Sequence, residues 1–202
     1  MKTERIGIYG GTFSPPHIGH VRAAEVFLSE MSLDKLLVIP TFEPPHKDFH
    51  NEASTAERLE MCRLAFSDIP NCEISDLEIL RGGKSYTYLT LEALMGEGRE
   101  LYMLVGTDMM LTLDEWKNPE RIFAAASICY VRRETDPESK RRLDEKIRLY
   151  ESRFGARIYA ISNKVIEISS SELRAAIANG KKLGDYLSGS VKEYIADRGL
   201  YR

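Results

Sequence analysis

Tyr9-Gly10-Gly11-Thr12-Phe13-Ser14-Pro15-Pro16-His17-Ile18-Gly19-His20 is the stretch whose reading decides the fold. The apolar run Ile6-Gly7-Ile8-Tyr9 leads into it, and an apolar-periodic segment from Val21 to Met31 leads out. That order predicts a buried strand, a glycine turn and a helix. Gly10 and Gly11 carry no Cβ, so the backbone there can take positive φ and a ligand can come close to the main chain. Pro15 and Pro16 stiffen the turn ahead of a helix that starts near His17. A helix start leaves free N–H groups and a partial positive charge, a ready seat for a phosphate. His17 and His20 are three apart, so both rings project from one side of the first turn. Donors gathered on one small volume suit phosphoryl or nucleotidyl transfer, which asks a protein mainly for positioning and for charge stabilisation on oxygens. The competing readings are a plain glycine turn with two surface histidines, and a zinc site. Against zinc, the spacing is not i, i+4, the metalloprotease glutamate is missing, and the nearby cysteines do not cluster.

Outward from this stretch, composition narrows the class. The chain has 202 residues, 43% of them apolar and 29% charged, enough for one globular domain with a real core. No linker divides it, so a single domain spanning 1–202 is expected. The net charge of −3 implies no bulk attraction to nucleic acid or to an anionic membrane, so a polyanion must be met by a local pocket. No apolar run approaches a membrane span, and the N-terminus lacks the stretch of a signal peptide. Cys62, Cys72 and Cys129 are odd in number and widely spaced, and read as reduced, buried thiols. A cytoplasmic location follows as the expectation. A homo-oligomer is left open.

Short apolar runs recur along the chain. Leu36–Ile39, Cys72–Ser75, Leu101–Val105, Ile128–Val131 and Arg157–Ala160 read as strands, with Leu77–Leu80 a possible extension of the second of these. Helices are expected between them. One starts at Ser54 in capping-box spacing with Glu57, one is capped by Ser85 or Thr87, and a charged one runs from about Pro137 to Phe154. Alternating strands and helices imply an α/β fold, a Rossmann-like open parallel sheet of five or six strands with helices on both faces. Ligands bind such sheets at the carboxyl ends of the strands. The loop from Phe42 to Ala53 and the segment Gly106-Thr107-Asp108 both follow such ends. The triple serine Ser169-Ser170-Ser171 opens a last motif, able to cap a helix and to face phosphate oxygens, and Arg174 lies one turn in on the same face. A plain capped helix is the alternative there. Trp116, among charged neighbours, reads as a half-exposed ring able to stack on a flat ligand.

The opening string resembles the GGTFDPPHxGH signature of the nucleotidyltransferases that carry an HxGH motif, here His17-Ile18-Gly19-His20. Within them the nearest likeness is to bacterial nicotinate-nucleotide adenylyltransferases. Ser14 stands where that family usually has Asp, which keeps the turn and removes a charge. Pro44-Pro45-His46-Lys47 looks like the family's PPHK segment, and Tyr86-Thr87-Tyr88-Leu89-Thr90-Leu91 like its Tyr-Thr-x-x-Thr-Leu. Gly106-x-Asp108 with Trp116 downstream also matches. Ile168–Arg174 is similar to ISSTxxR, with Ser171 for Thr, and the segment from Val191 to Tyr201 resembles the family's ending. The resemblance implies transfer of the adenylyl group of ATP to nicotinate mononucleotide in NAD biosynthesis. It implies His17, His20, Lys47 and Arg174 as catalytic residues, and Gly10, Gly11, Thr12, Phe13, Ser169, Ser170 and Ser171 at ATP. Thr87, Gly106, Asp108 and Trp116 would receive the nicotinate nucleotide. Mg²⁺ would travel with the ATP phosphates, with no protein metal site. Small-molecule substrates are thus the expected partners. The alternatives are an acceptor such as nicotinamide mononucleotide or pantetheine phosphate, or a nucleotide-binding module without catalysis.

Overall fold

The computed structural model describes residues 3–45, 53–131, 137–162 and 168–202. Lys47 and the middle of the Phe42–Ala53 loop therefore lie outside the described residues. Six parallel strands form one sheet in the order β3-β2-β1-β4-β5-β6. They are β1 (Glu4–Gly11), β2 (Lys35–Pro40), β3 (Cys72–Ile74), β4 (Arg99–Gly106), β5 (Ala126–Val131) and β6 (Ile158–Ile161). The chain winds outward from β1 through β2 to β3, then returns to the other side of β1 and winds out through β4 to β6. β1 and β4 thus flank the point where the strand order reverses.

Strand alternation sorts the core into two layers. Leu101, Met103 and Val105 of β4 face one side with Ile6 and Ile8 of β1. Helices α4 (Thr87–Leu94), α6 (Pro119–Ala125) and α7 (Pro137–Phe154) cover it through Leu91, Ile122, Phe123, Leu143 and Tyr150. Tyr102 and Leu104 face the other side, with Leu36 and Val38. There α1 (Ile18–Glu30) supplies Ala23, Ala24 and Phe27, and α2 (Thr55–Ala65) supplies Cys62. Gly7 lies under α1 because nothing larger fits: a Cβ there would sit 2.5 Å from Leu33 Cδ1 and 2.9 Å from Phe27 Cε1. A third apolar cluster joins α2 to α8 (Ser170–Ala178) and α9 (Gly189–Arg198) through Met61, Leu173, Val191 and Ile195. That cluster ties the C-terminal segment from Ile168 to Tyr201 to α2.

The charged helix runs over Pro137–Phe154, as its pattern predicts, and the Ser54–Glu57 capping box is present. Two readings are corrected. Leu77–Leu80 does not extend β3 but forms the short helix α3 (Leu77–Arg81), because Glu78 turns inward and Leu80 outward. The start of α4 is not capped by Ser85 or Thr87; Tyr86 is the cap residue and no side chain bonds there. Ser85 Oγ instead accepts the Phe42 N–H at 2.9 Å. Cys62 and Cys129 are buried and Cys72 half-buried. Burial pushes all three thiols up, Cys72 to about 11 and Cys129 to about 12, so none is a thiolate at neutral pH.

The 3₁₀ turn Leu113–Glu115 follows the short helix α5 (Thr107–Met110) and precedes Trp116. Asp114 anchors it to α7, with Lys146 Nζ at 2.7 Å and Tyr150 Oη at 2.8 Å. Burial pushes the Asp114 carboxyl up, but hydrogen bonds from Lys146 and Tyr150 outweigh it and hold the group below its ordinary value. A carboxyl depressed in the folded state stabilises above its unfolded pKa, and that stability is lost as pH falls through the folded pKa. Asp114→Asn is therefore expected to lower Tm at pH 7, with the gap to the parent closing as pH drops below about 4. Thermal melts followed by circular dichroism at pH 7 and pH 3 check this; a gap of constant size contradicts it.

Candidate active site

The turn Thr12–Pro16 joins β1 to α1 at the carboxyl edge of the sheet. Its glycines do not use positive φ: Gly10 and Gly11 remain in β1, and the left-handed residue is Phe13, at φ 50°. A bulky residue in that region is uncommon and costs of order 1–3 kcal/mol. Burial offsets the cost, for the Phe13 ring is enclosed, with ring centroids 5.3 Å from Tyr9, 5.1 Å from His20 and 5.9 Å from Phe66. The glycine at position 11 makes room for that ring, since a Cβ there would lie 2.9 Å from Phe13 Cζ. Gly10 differs: nothing lies within 4 Å of a Cβ built on it, so its space opens outward.

His17 is the N-cap residue of α1. Its backbone N–H donates to His20 Nδ1 at 3.1 Å, and the two rings lie 3.7 Å apart between centroids. With Nδ1 accepting, neutral His20 carries its hydrogen on Nε2 as a donor. The free N–H groups expected at this helix start are fewer than the sequence suggests. Ile18 N–H is taken by Tyr186 O at 2.8 Å, and His20 and Val21 N–H by His17 O. Gly19 is left to offer its N–H, so the imidazoles carry more of the donor role.

The last motif reaches this turn. Ser169 caps α8 with Glu172 in a reciprocal box, and the Ser169 hydroxyl and N–H hold the Glu172 carboxyl below its ordinary value. Ser170 Oγ donates to Pro15 O at 2.9 Å. Arg174 Nη1 donates to Ser14 O at 2.7 Å, and its Nη2 to Ser171 Oγ at 3.1 Å. Segments 160 residues apart thus meet three residues ahead of His17.

Beside Gly10–Thr12 lies a pocket of about 170 Å³, walled by Pro44 and Pro45, by Tyr86, Thr87 and Thr90 at the start of α4, and by Trp116. The tryptophan is half-buried against the core, as expected. Lys117 also lines the pocket, a cation with no signature in its local sequence. Gly106 and Asp108 sit on the same edge at the start of α5, Asp108 exposed, but do not line it. Among the described residues no cluster of three His, Cys, Asp or Glu side chains could hold a metal. Arg58 also reaches this turn. It is wholly buried and donates to Thr12 O at 2.9 Å, to Ala53 O at 3.3 Å and to Phe42 O at 3.4 Å. An arginine at a helix's second turn looks solvated in sequence; only its neighbours in space reveal it.

With this geometry in hand, comparison places the chain. Residues 8–176 match the Cytidylyltransferase-like family model. A probable nicotinate-nucleotide adenylyltransferase of Desulfatibacillum aliphaticivorans is 36% identical over 98% of this chain and 99% of its own length. One from Roseiflexus sp. strain RS-1 is 37% identical over the full length of both. The Plasmodium falciparum nicotinic acid mononucleotide adenylyltransferase, solved in complex with NaAD, superposes with a TM-score of 0.75 over 98% of this chain and 97% of that one, at 17% identity. That last likeness bears on the fold alone. No described helix is long and apolar enough to cross a membrane.

The two glycines separate packing from ligand access. Gly11→Ala is expected to displace Phe13 and cost about 1–3 kcal/mol of stability, read as a lower urea midpoint. Gly10→Ala, which also borders the pocket, is expected to keep the midpoint and raise KM for the pocket's ligand about ten-fold. Equal stability losses in the two variants contradict the assignment.

Proposed function

The chain belongs to the nicotinate-nucleotide adenylyltransferases of the cytidylyltransferase-like family, and on that premise we propose that it transfers the adenylyl group of ATP to nicotinate mononucleotide. The observation that carries the reading is the meeting of α8 with the β1–α1 turn, which gathers imidazole, guanidinium and hydroxyl donors in one place. Such a site suits a reaction whose nucleophile needs no activation. The mononucleotide's phosphate is already ionised near neutral pH. Its oxygen attacks the α-phosphorus of ATP, the bond from that phosphorus to the β-phosphate bridging oxygen breaks, and pyrophosphate leaves in line. No general base is needed, and the neutral, buried cysteines offer no rival nucleophile.

His20 through its Nε2–H, His17 and Arg174 would offset charge growing on the phosphate oxygens. Lys47 has the same role by the resemblance. By the resemblance Ser169, Ser170, Ser171 and Thr12 would orient the triphosphate; the Ser169 and Ser170 hydroxyls donate to Glu172 and to Pro15 O, so Ser171, which accepts from Arg174, is the serine with a hydroxyl hydrogen to give. We assign Mg²⁺ to the ATP phosphates, as the resemblance implies; among the described residues no cluster of three His, Cys, Asp or Glu side chains could hold it. When bound, it would neutralise phosphate charge. Among acceptors, we take the acid form of the ring from the relatives that the chain resembles. Trp116 supplies a stacking face, and the wall carries both signs, with Lys117 as a cation and the buried Glu78, 3.9 Å from Arg81, as a carboxyl group. Asp108, outside the pocket, is assigned to the nucleotide on resemblance alone.

His20→Ala is expected to fold normally and to lower kcat about 10²–10³-fold in a pyrophosphate-release assay. Near-parental turnover would sink the mechanism. In the same assay kcat/KM for nicotinate mononucleotide is expected to exceed that for the nicotinamide form by more than about ten-fold. Equal values would leave adenylyl transfer standing and remove the acid preference.

A further inference from the structure

Ser14 is 1% exposed, so its hydroxyl meets only protein. It accepts the Ala53 N–H at 3.3 Å and shares a hydrogen bond with the Tyr201 hydroxyl at 3.0 Å, across 187 residues of sequence. Its carbonyl is the acceptor of Arg174. One residue of the turn is therefore gripped from three directions: α8, the start of α2, and the segment after α9.

The position of Tyr201 is itself fixed. Gly199 ends α9 in the left-handed conformation, at φ 63°, and the Leu200 N–H returns to Ile195 O at 3.0 Å. Val191 and Ile195 seat α9 on Met61 of α2 and Leu173 of α8, and Tyr201 packs on the same cluster. The backbone of Tyr201 is also left-handed, at φ 63°, which aims the ring back at the turn.

We infer that Tyr201 is a positioning residue for the nucleotide-binding turn, acting through the Ser14 hydroxyl. This rests on the reading of that turn as the ATP site. The Tyr201 hydroxyl selects the rotamer in which Ser14 Oγ also meets Ala53. The Ser14–Pro15 unit is thereby held square to Arg174 and to the imidazoles. The pocket assigned to the acceptor is lined by Gly10, Gly11 and Thr12 and by neither Ser14 nor Tyr201. The two substrates should therefore respond differently to its loss.

Tyr201→Phe removes one oxygen and keeps the packed ring. It is expected to raise KM for ATP about five-fold, to leave KM for nicotinate mononucleotide within about two-fold, and to shift Tm little. Ser14→Ala is expected to raise KM for ATP by a similar factor, and adding Tyr201→Phe to it should change KM by less than about two-fold. Calorimetric titration of all four proteins with Mg·ATP reads the same cycle as Kd, without turnover. A parent protein that binds ATP and transfers nothing would thus sink the adenylyl-transfer reading and still test Tyr201. The inference is overturned by an unchanged ATP KM and Kd in Tyr201→Phe, or by the full factor persisting in the Ser14→Ala background. It is equally overturned by a parallel rise in both KM values with a fall in Tm, or by a parent protein that does not bind ATP.

Discussion

The carbonyls of Ser14 and Pro15 impose the constraint on which the rest depends. Both residues are buried, and buried carbonyls must find donors. Two consecutive prolines follow Ser14 and supply no N–H of their own. The turn cannot close on itself through local bonds, so its acceptors are met from elsewhere. Arg174 and Ser170 of α8 meet them. Satisfying the turn and assembling the donor cluster are thus one event. The sheet order makes it possible, because β1 lies at the centre, where the winding reverses, and loops from both halves of the chain converge there.

Much of this was legible in the sequence for a physical reason. In a sheet covered on both faces the strands are continuous apolar runs, and Leu36–Ile39, Leu101–Val105 and Ile128–Val131 announce themselves. The boundaries of α7 follow from its run of charged residues, and the start of α8 from its serine cap. What failed was local inference about facing and capping. Leu77–Leu80 is apolar enough for a strand, yet Glu78 finds Thr90 Oγ1 at 2.6 Å and turns the segment into a helix. Gly10 and Gly11 look like the left-handed residues of the turn. The strain falls on Phe13 instead, because the glycines are spent on steric clearance for its ring. Tertiary packing decided both cases, and no window of sequence contains it.

The site was legible in the same uneven way. Residues that declare themselves by type and spacing, such as His17, His20 and Arg174, come together. Tyr201 and Lys117 carry no local signal, because a hydrogen bond to Ser14 and a place at the pocket wall are set by residues distant in sequence. Asp108 shows the converse: a motif residue in the expected place along the chain, yet on the outer side of the pocket edge. Ser14, where the signature that the turn resembles has Asp, meets two partners at once. A carboxylate would be acceptor only, whereas a hydroxyl can accept from Ala53 and still share a hydrogen with Tyr201.

Arg58 extends the same logic to the acceptor side. Burying a guanidinium is costly unless its donors are met, and here they are met by backbone carbonyls. The three carbonyls belong to the β1–α1 turn and to both flanks of the loop after β2. A planar group with five donors can span them at once; an ammonium on a flexible stem cannot hold the same spread. The wall formed by Thr41 to Pro45 and the turn formed by Thr12 to Pro16 are therefore one rigid unit. If one moves, the guanidinium loses acceptors in the interior, at about 1–3 kcal/mol for each unmet group. An in-line displacement needs its two substrates held in fixed register, and a guanidinium that ties these two walls through backbone acceptors limits how far either can shift against the other.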